Sequence, residues 1–411
     1  MPGAMRYSRI AWLPLHDPLT FAAITARHPS TGGLREEGGK QLSIKSWEYC
    51  RAANDGTRTL NSFHKTLVRS GFETLYFSAA HHLMRPFVAG LGVILTLHHV
   101  RPPRLDRFQP NRLLEISPGF LDDVLRWLRR SRLDLVSLDE VHRRLTSGSS
   151  ARRFVCITID DGYRDTLQWA YPILKHHQVP FTVYVPTSFP DRLGELWWLA
   201  LEAVVARNKR VRLLVNGQEQ SFECVSVAGK RHLFEQLYGW LRSLKTEEEL
   251  RNVVRDLAGR YRVDLAAFCD ELCMSWDELA TLATDPLVTV GAHTVNHVML
   301  AKVPEKSARS EMEMSRSVIE ASLGRRPEHL SYPVGDFTSA GPREFRIASE
   351  LGFLTGVTTR PGVIFPEHRD HLTALPRISL NGEHQQMRYV RVLLAGAATA
   401  VWNGFRRVNA A

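Results

Sequence analysis

Cysteine is scarce in this chain: five in 411 residues, at Cys50, Cys156, Cys224, Cys269 and Cys273. An odd set without framework spacing excludes a disulfide scaffold and fits a reducing compartment. Cys269 and Cys273 stand four apart, but no His or Cys neighbour completes a metal set, so they read as small core residues. Long apolar runs are lacking as well. The most hydrophobic stretch, residues 87–97, is too short to cross a bilayer and follows His81, His82 and Arg85. The chain does not open on the basic, apolar and small-residue order of a signal peptide, so a cytoplasmic setting is the expectation. No internal repeat is visible. The net charge of +10 comes without any nucleic-acid-binding motif. Its basic residues are scattered in short clusters such as Arg129-Arg130 and Arg406-Arg407, as on a solvated basic surface.

What is present is an ordinary globular composition, 44% hydrophobic and 23% charged, long enough for one large domain with insertions or for two domains. Residues 1–60 lack sustained periodicity and read as a poorly ordered extension. Residues 61–90 read as a helical segment, with one helix over 63–87. A strand over Gly92–Leu97 ends in His98 and His99. Pro118–Arg130, behind Ser117, reads as a capped amphipathic helix, and Leu135–Leu138 as a short strand followed by a helix. Phe154–Ile157 is a continuous apolar run that ends in Asp160-Asp161-Gly162, as in a buried parallel strand with carboxylates at its C-terminal end. Asp-Gly alone is also a common turn pair.

A helix to His177 and a strand over Phe181–Val185 complete a strand–helix–strand unit, which implies parallel pairing. Residues of about 190–285 then break the rhythm. They are rich in helix formers, with a possible hairpin at Asn216-Gly217, and read as a mainly helical insertion. Alternation resumes with strands at Val288–Ala292, Leu330–Tyr332, Leu354–Thr358 and Leu375–Ile378, separated by helices. The order argues for an α/β barrel or a doubly wound sheet, with the core domain at about 91–380 and a C-terminal tail at 381–411. Residues 389–405 of that tail read as one amphipathic helix packed on the domain.

His293-Thr294-Val295-Asn296-His297 follows a strand directly. Two histidines four apart converge on one metal if they share a helical turn, and one carboxylate would complete a three-ligand set with open positions. A lone histidine pair is more often structural. Here both this motif and Asp160-Asp161 lie where parallel strands end, and such ends meet at one rim.

These motifs carry a family resemblance. ITIDDG at Ile157–Gly162 resembles the first motif of the NodB-type polysaccharide deacetylases, carbohydrate esterase family four. HTVNH at His293–His297 resembles the second, and SYPVG at Ser331–Gly335 a variant of the third. The motifs occur in the family's order across roughly residues 90–380. The LHHV strand and the long insertion point towards the bacterial branch of exopolysaccharide and chitooligosaccharide deacetylases. The resemblance implies a distorted (β/α) barrel. It implies a divalent ion, zinc by preference, on Asp161, His293 and His297, with Asp160 as the general base. It further implies removal of N-acetyl groups from amino-sugar oligomers or polysaccharide, the oxyanion being held by the metal and a backbone N–H near Tyr332 or Pro333.

The chain departs from the family pattern in two places. Ser331 stands where the third motif usually has the arginine that orients the base, and Val334 where it has tyrosine. Arg377 is a candidate replacement for that arginine. The late histidine that commonly serves as general acid has no clear counterpart, leaving His98, His371 and His384 as candidates. Trp197 and Trp198 are candidates to stack on a sugar ring, against the alternative of filling the insertion's core. Two other functions remain open: hydrolysis of a small non-sugar amide at the same site, and a carbohydrate-binding descendant without activity.

Overall fold

The structure is a computed structural model that describes residues 66–148, 152–215 and 217–410. The extension expected over 1–60 lies outside the described residues, as does Asn216 of the expected hairpin. Seven strands form the centre: β1 (Gly92–Leu97), β2 (Phe154–Ile159), β3 (Phe181–Val185), β4 (Val288–Ala292), β5 (His329–Ser331), β6 (Thr355–Pro361) and β7 (Leu375–Ser379). Each pairs in parallel with the next along the chain, and β7 pairs with β1, closing a barrel. The short strand Asp134–Val136 adds to the first half of β2 outside this ring. Among the alternatives left by the sequence, the barrel is the observed one.

The strands are apolar along their whole length because both faces are covered: every residue of β1, β2 and β3 is buried. Alternate residues serve different clusters. Ile94, Cys156 and Tyr184 pack together, while Val93, Leu95, Val155 and Ile157 belong to the layer shared with the surrounding helices.

The insertion between β3 and β4 contains α1 (Trp197–Arg207), a hairpin of Arg210–Val215 with Gln218–Glu223, α2 (Val227–Ser243), α3 (Glu247–Tyr261) and α4 (Leu265–Leu272). It has its own core, which includes Trp197, Leu201, Phe234, Leu237, Trp240, Leu250 and Val254. Among the described residues, no helix is long and apolar enough to cross a membrane.

Two expected helices are each divided in two. The N-terminal one breaks at Ala79, whose φ of 56° is left-handed, giving segments 66–77 and Ala80–Val88. The C-terminal tail splits into Met387–Leu394 and Ala397–Trp402 at Gly396. Gly396 has φ 77°, and a Cβ there would sit 2.2 Å from the Val88 carbonyl oxygen. Close docking against helix Ala80–Val88, rather than any change in apolar periodicity, stops the second helix.

Candidate active site

Parallel closure brings the C-terminal ends of the strands to one rim, and the polar residues of the sequence motifs collect there. His98 follows β1, Asp160 and Asp161 follow β2, His293 follows β4, Ser331 ends β5, and Arg377 lies within β7. All are buried except His98, which is half-buried on the wall of a cavity with about 160 Å³ of free space.

Asp161 Oδ1 lies 3.4 Å from His293 Nε2 and 3.2 Å from His297 Nε2. All three ligand atoms fall within 4.8 Å of one another. A tetrahedral ion with bonds of about 2.1 Å separates its ligands by roughly 3.4 Å. The donor set is chemically apt as well. His293 Nδ1 donates to the Ser331 carbonyl at 2.7 Å, which leaves Nε2 as the lone-pair nitrogen. Asp161 Oδ1 is buried and accepts no hydrogen bond from the described residues. Burial alone would raise the Asp161 carboxyl, but the two imidazoles more than reverse this and hold it well below the usual carboxylate range. These residues fit a divalent cation.

The histidines do not share a helical turn, as the spacing suggested. Residues 293–297 form a loop in which Thr294 and His297 take left-handed φ values of 64° and 53°. Glu311 holds this loop: Oε2 accepts from the Val295 and Asn296 N–H groups at 2.9 Å each, and Oε1 accepts from Asn296 Nδ2 at 2.7 Å. Arg251 of α3 donates to the Asn296 carbonyl at 2.7 Å, tying the insertion to the same loop. Asp161 itself has φ 70° and Val334 φ 62°, so non-glycine left-handed residues gather around this rim.

Asp160 has different surroundings. Arg377 grips it with both prongs, Nη1 to Oδ1 at 2.8 Å and Nη2 to Oδ2 at 2.6 Å. The guanidinium is fixed in turn by the Thr358 carbonyl, Thr158 Oγ1 and Ser331 Oγ, at 2.9, 3.0 and 3.0 Å. Burial pushes the Asp160 carboxyl up, yet the charge and hydrogen bonds of Arg377 outweigh that, and its pKa is lowered. Burial also lowers the His98 imidazole, against the opposing pull of Asp161 and Asp160.

The other sequence candidates divide. Trp197 and Trp198 both line the cavity, with the Trp198 ring 4.9 Å from that of His297. Both are buried members of the insertion's core. His384 is not on the cavity wall; it packs against Phe72 and Tyr389 at 5.4 and 5.7 Å. His371 lies exposed beyond a 3-10 turn.

The Tyr332 ring points into a hydrophobic cluster with its hydroxyl on the Thr373 carbonyl, and its N–H is spent on the Val357 carbonyl at 3.2 Å. Pro333 has no N–H to give. Neither of these two residues therefore has a free N–H for an oxyanion. The cavity instead meets Val334, whose N–H finds no acceptor among the described residues.

Asn111, Tyr238, Asp336 and Thr338 also line the cavity. Arg242 of α2 bridges the last two, at 2.7 Å to each. None of these residues stands in a motif, so the sequence offered no sign of them. The same holds for Glu311, which lies in an ordinary amphipathic helix.

Comparison with known proteins gives a consistent picture. The family profile described as polysaccharide deacetylase matches residues 237–354, which takes in the histidine motif but not Asp160 and Asp161. YxkH of Bacillus subtilis (strain 168), provisionally named a polysaccharide deacetylase, is 20% identical over 239 residues. That match covers 58% of this chain and 56% of YxkH, so the chain spans little more than half the length of this relative. Streptococcus pyogenes deacetylase PplD, solved in complex with acetate, shares the fold at a TM-score of 0.50 and 17% identity, covering 73% of this chain and 97% of PplD. IcaB from Ammonifex degensii aligns at a TM-score of 0.46 and 18% identity, over 75% of this chain and 98% of IcaB.

Proposed function

We propose that the chain belongs to the polysaccharide deacetylase family and that it is a metal-dependent hydrolase of carbohydrate N-acetyl groups. Its substrate class is an N-acetylated amino-sugar oligomer or polysaccharide. One observation carries the reading: Asp161, His293 and His297 converge beside a separately held Asp160 on one cavity wall.

Asp161, His293 and His297 would hold the ion, and two imidazoles with one carboxylate suit zinc. When bound, such an ion polarises the acetyl carbonyl and lowers the pKa of water. The remaining work falls to the chain. Asp160, ionised because Arg377 holds its pKa down, takes the proton of the attacking water. Arg377 fixes which carboxylate lone pairs face the cavity, the task usually given to the arginine that Ser331 replaces. Ser331 is small enough to accept from Arg377 through Oγ while its carbonyl orients His293. The Val334 N–H, at the cavity wall, would donate to the developing oxyanion. His98, at the end of the strand next to that of Asp160, returns a proton to the departing amine. Tyr238, half-buried, and the largely buried Trp197 and Trp198 line the cavity in which a sugar ring would stack.

Acetate release from N-acetylglucosamine oligomers, from polymer and from small non-sugar amides tests this. Release from sugar substrates alone is the expected result. Turnover of the small amide alone would move the substrate class, and no turnover at all would leave a binding descendant.

A further inference from the structure

Away from the catalytic cavity, helix Ala80–Val88 leaves its most apolar residues uncovered. Leu83 and Phe87, four apart and so on one helix face, are each 76% exposed, and Phe405 beside them is 64% exposed. Phe87 lies between two shallow clefts, one walled by Arg85 and Arg407, the other by Phe405, Arg406 and Arg407. Arg407 pairs with Glu367 at 3.0 Å, but among the described residues Arg85 and Arg406 have no carboxylate within ion-pair reach. Large apolar side chains standing out of a ring of arginines are costly in water unless something covers them.

We propose that this face, Leu83, Phe87 and Phe405 within Arg85, Arg406 and Arg407, docks on the surface of an anionic lipid bilayer. The charge pattern chooses the occupant. Aromatic and leucine side chains enter the acyl boundary while arginines meet anionic headgroups, the division of labour of an interfacial helix. A second copy would set the same arginines against one another. Residues 1–65, which the structure does not describe, carry nine Lys and Arg against five Asp and Glu, so they match the face poorly in charge. Among the described residues no helix can span a bilayer, so the contact is peripheral.

The arrangement also sets an orientation. Helix Ala80–Val88 leads into the start of β1, whose far end carries His98. Docking through this face turns the catalytic rim away from the lipid, towards a sugar chain in the aqueous space.

Co-sedimentation of the full chain with vesicles tests this. Binding to phosphatidylcholine vesicles containing phosphatidylglycerol is expected, weakened about tenfold or more by pure phosphatidylcholine or by about 0.5 M NaCl. Leu83→Ser with Phe87→Ser, and separately Arg406→Glu with Arg407→Glu, reduce vesicle binding to a similar extent. Both pairs change exposed side chains and leave circular dichroism and acetate release unchanged. Absence of vesicle binding by the full chain would overturn the proposal. So would equal binding to neutral vesicles, or a dimer in solution that the Leu83/Phe87 variant abolishes.

Discussion

Asp160 and Asp161 are adjacent in sequence, yet each faces its own set of partners. The left-handed backbone at Asp161 turns its carboxylate to the two imidazoles, while Asp160 stays with Arg377. The roles should therefore separate by mutation. Asp160→Asn keeps the shape of the side chain and removes only its basicity, so turnover should fall by about 10²-fold or more while bound metal stays at the wild-type level. Arg377→Lys should give the same dissociation, because a point charge cannot replace a two-pronged grip on a fully buried carboxylate. Metal analysis and acetate release on the same preparations check both. Loss of metal from Asp160→Asn would contradict the division of roles.

At the scale of elements, the loop 293–297 is the part that sequence spacing misread. Histidines four apart suggest a helical turn, but Glu311, from helix Glu305–Leu323, ties this segment down as a strained loop through three hydrogen bonds. Glu311→Gln, which weakens acceptors for three N–H donors, should lower metal affinity by about 10- to 100-fold without unfolding the barrel. Competition with a chromogenic chelator measures this, and unchanged affinity would remove Glu311 from that role.

Strands β1 and β2 were legible because each is an apolar run followed by a chemistry-bearing residue. The candidate metal ligands were legible because their motifs are short and local. Which N–H near Pro333 is free to serve an oxyanion was not. It depends on which N–H groups near Pro333 are already engaged, and the engagement of Tyr332 by Val357 is a pairing between strands. Arg377 stood out only through an absence, the missing arginine at Ser331. Both divided helices were unreadable because Ala79 and Gly396 break them through backbone geometry and tertiary contact.

For the whole molecule, burial makes stability depend on pH. His368 is fully buried, its Nδ1 accepts the Phe365 N–H at 3.0 Å, and burial pushes its imidazole down to about 4. A group depressed in the folded state stabilises the fold above its unfolded pKa of about 6.5, and that stability is lost as pH falls towards 4. Roughly 3 kcal/mol should disappear over this window. His368→Asn, which keeps an acceptor but does not titrate, should flatten that slope in denaturant unfolding. A variant as steep as the wild type would assign the slope to other groups.

The central claim is that one rim of this barrel hydrolyses N-acetyl groups with a divalent ion on Asp161, His293 and His297. Acetate release from N-acetylglucosamine oligomers, followed while chelator-stripped protein is titrated with zinc, tests it most directly. The account predicts negligible release from stripped protein and recovery that saturates at one ion per chain. Undiminished release from stripped protein, or no recovery with zinc or any other divalent ion, would contradict it.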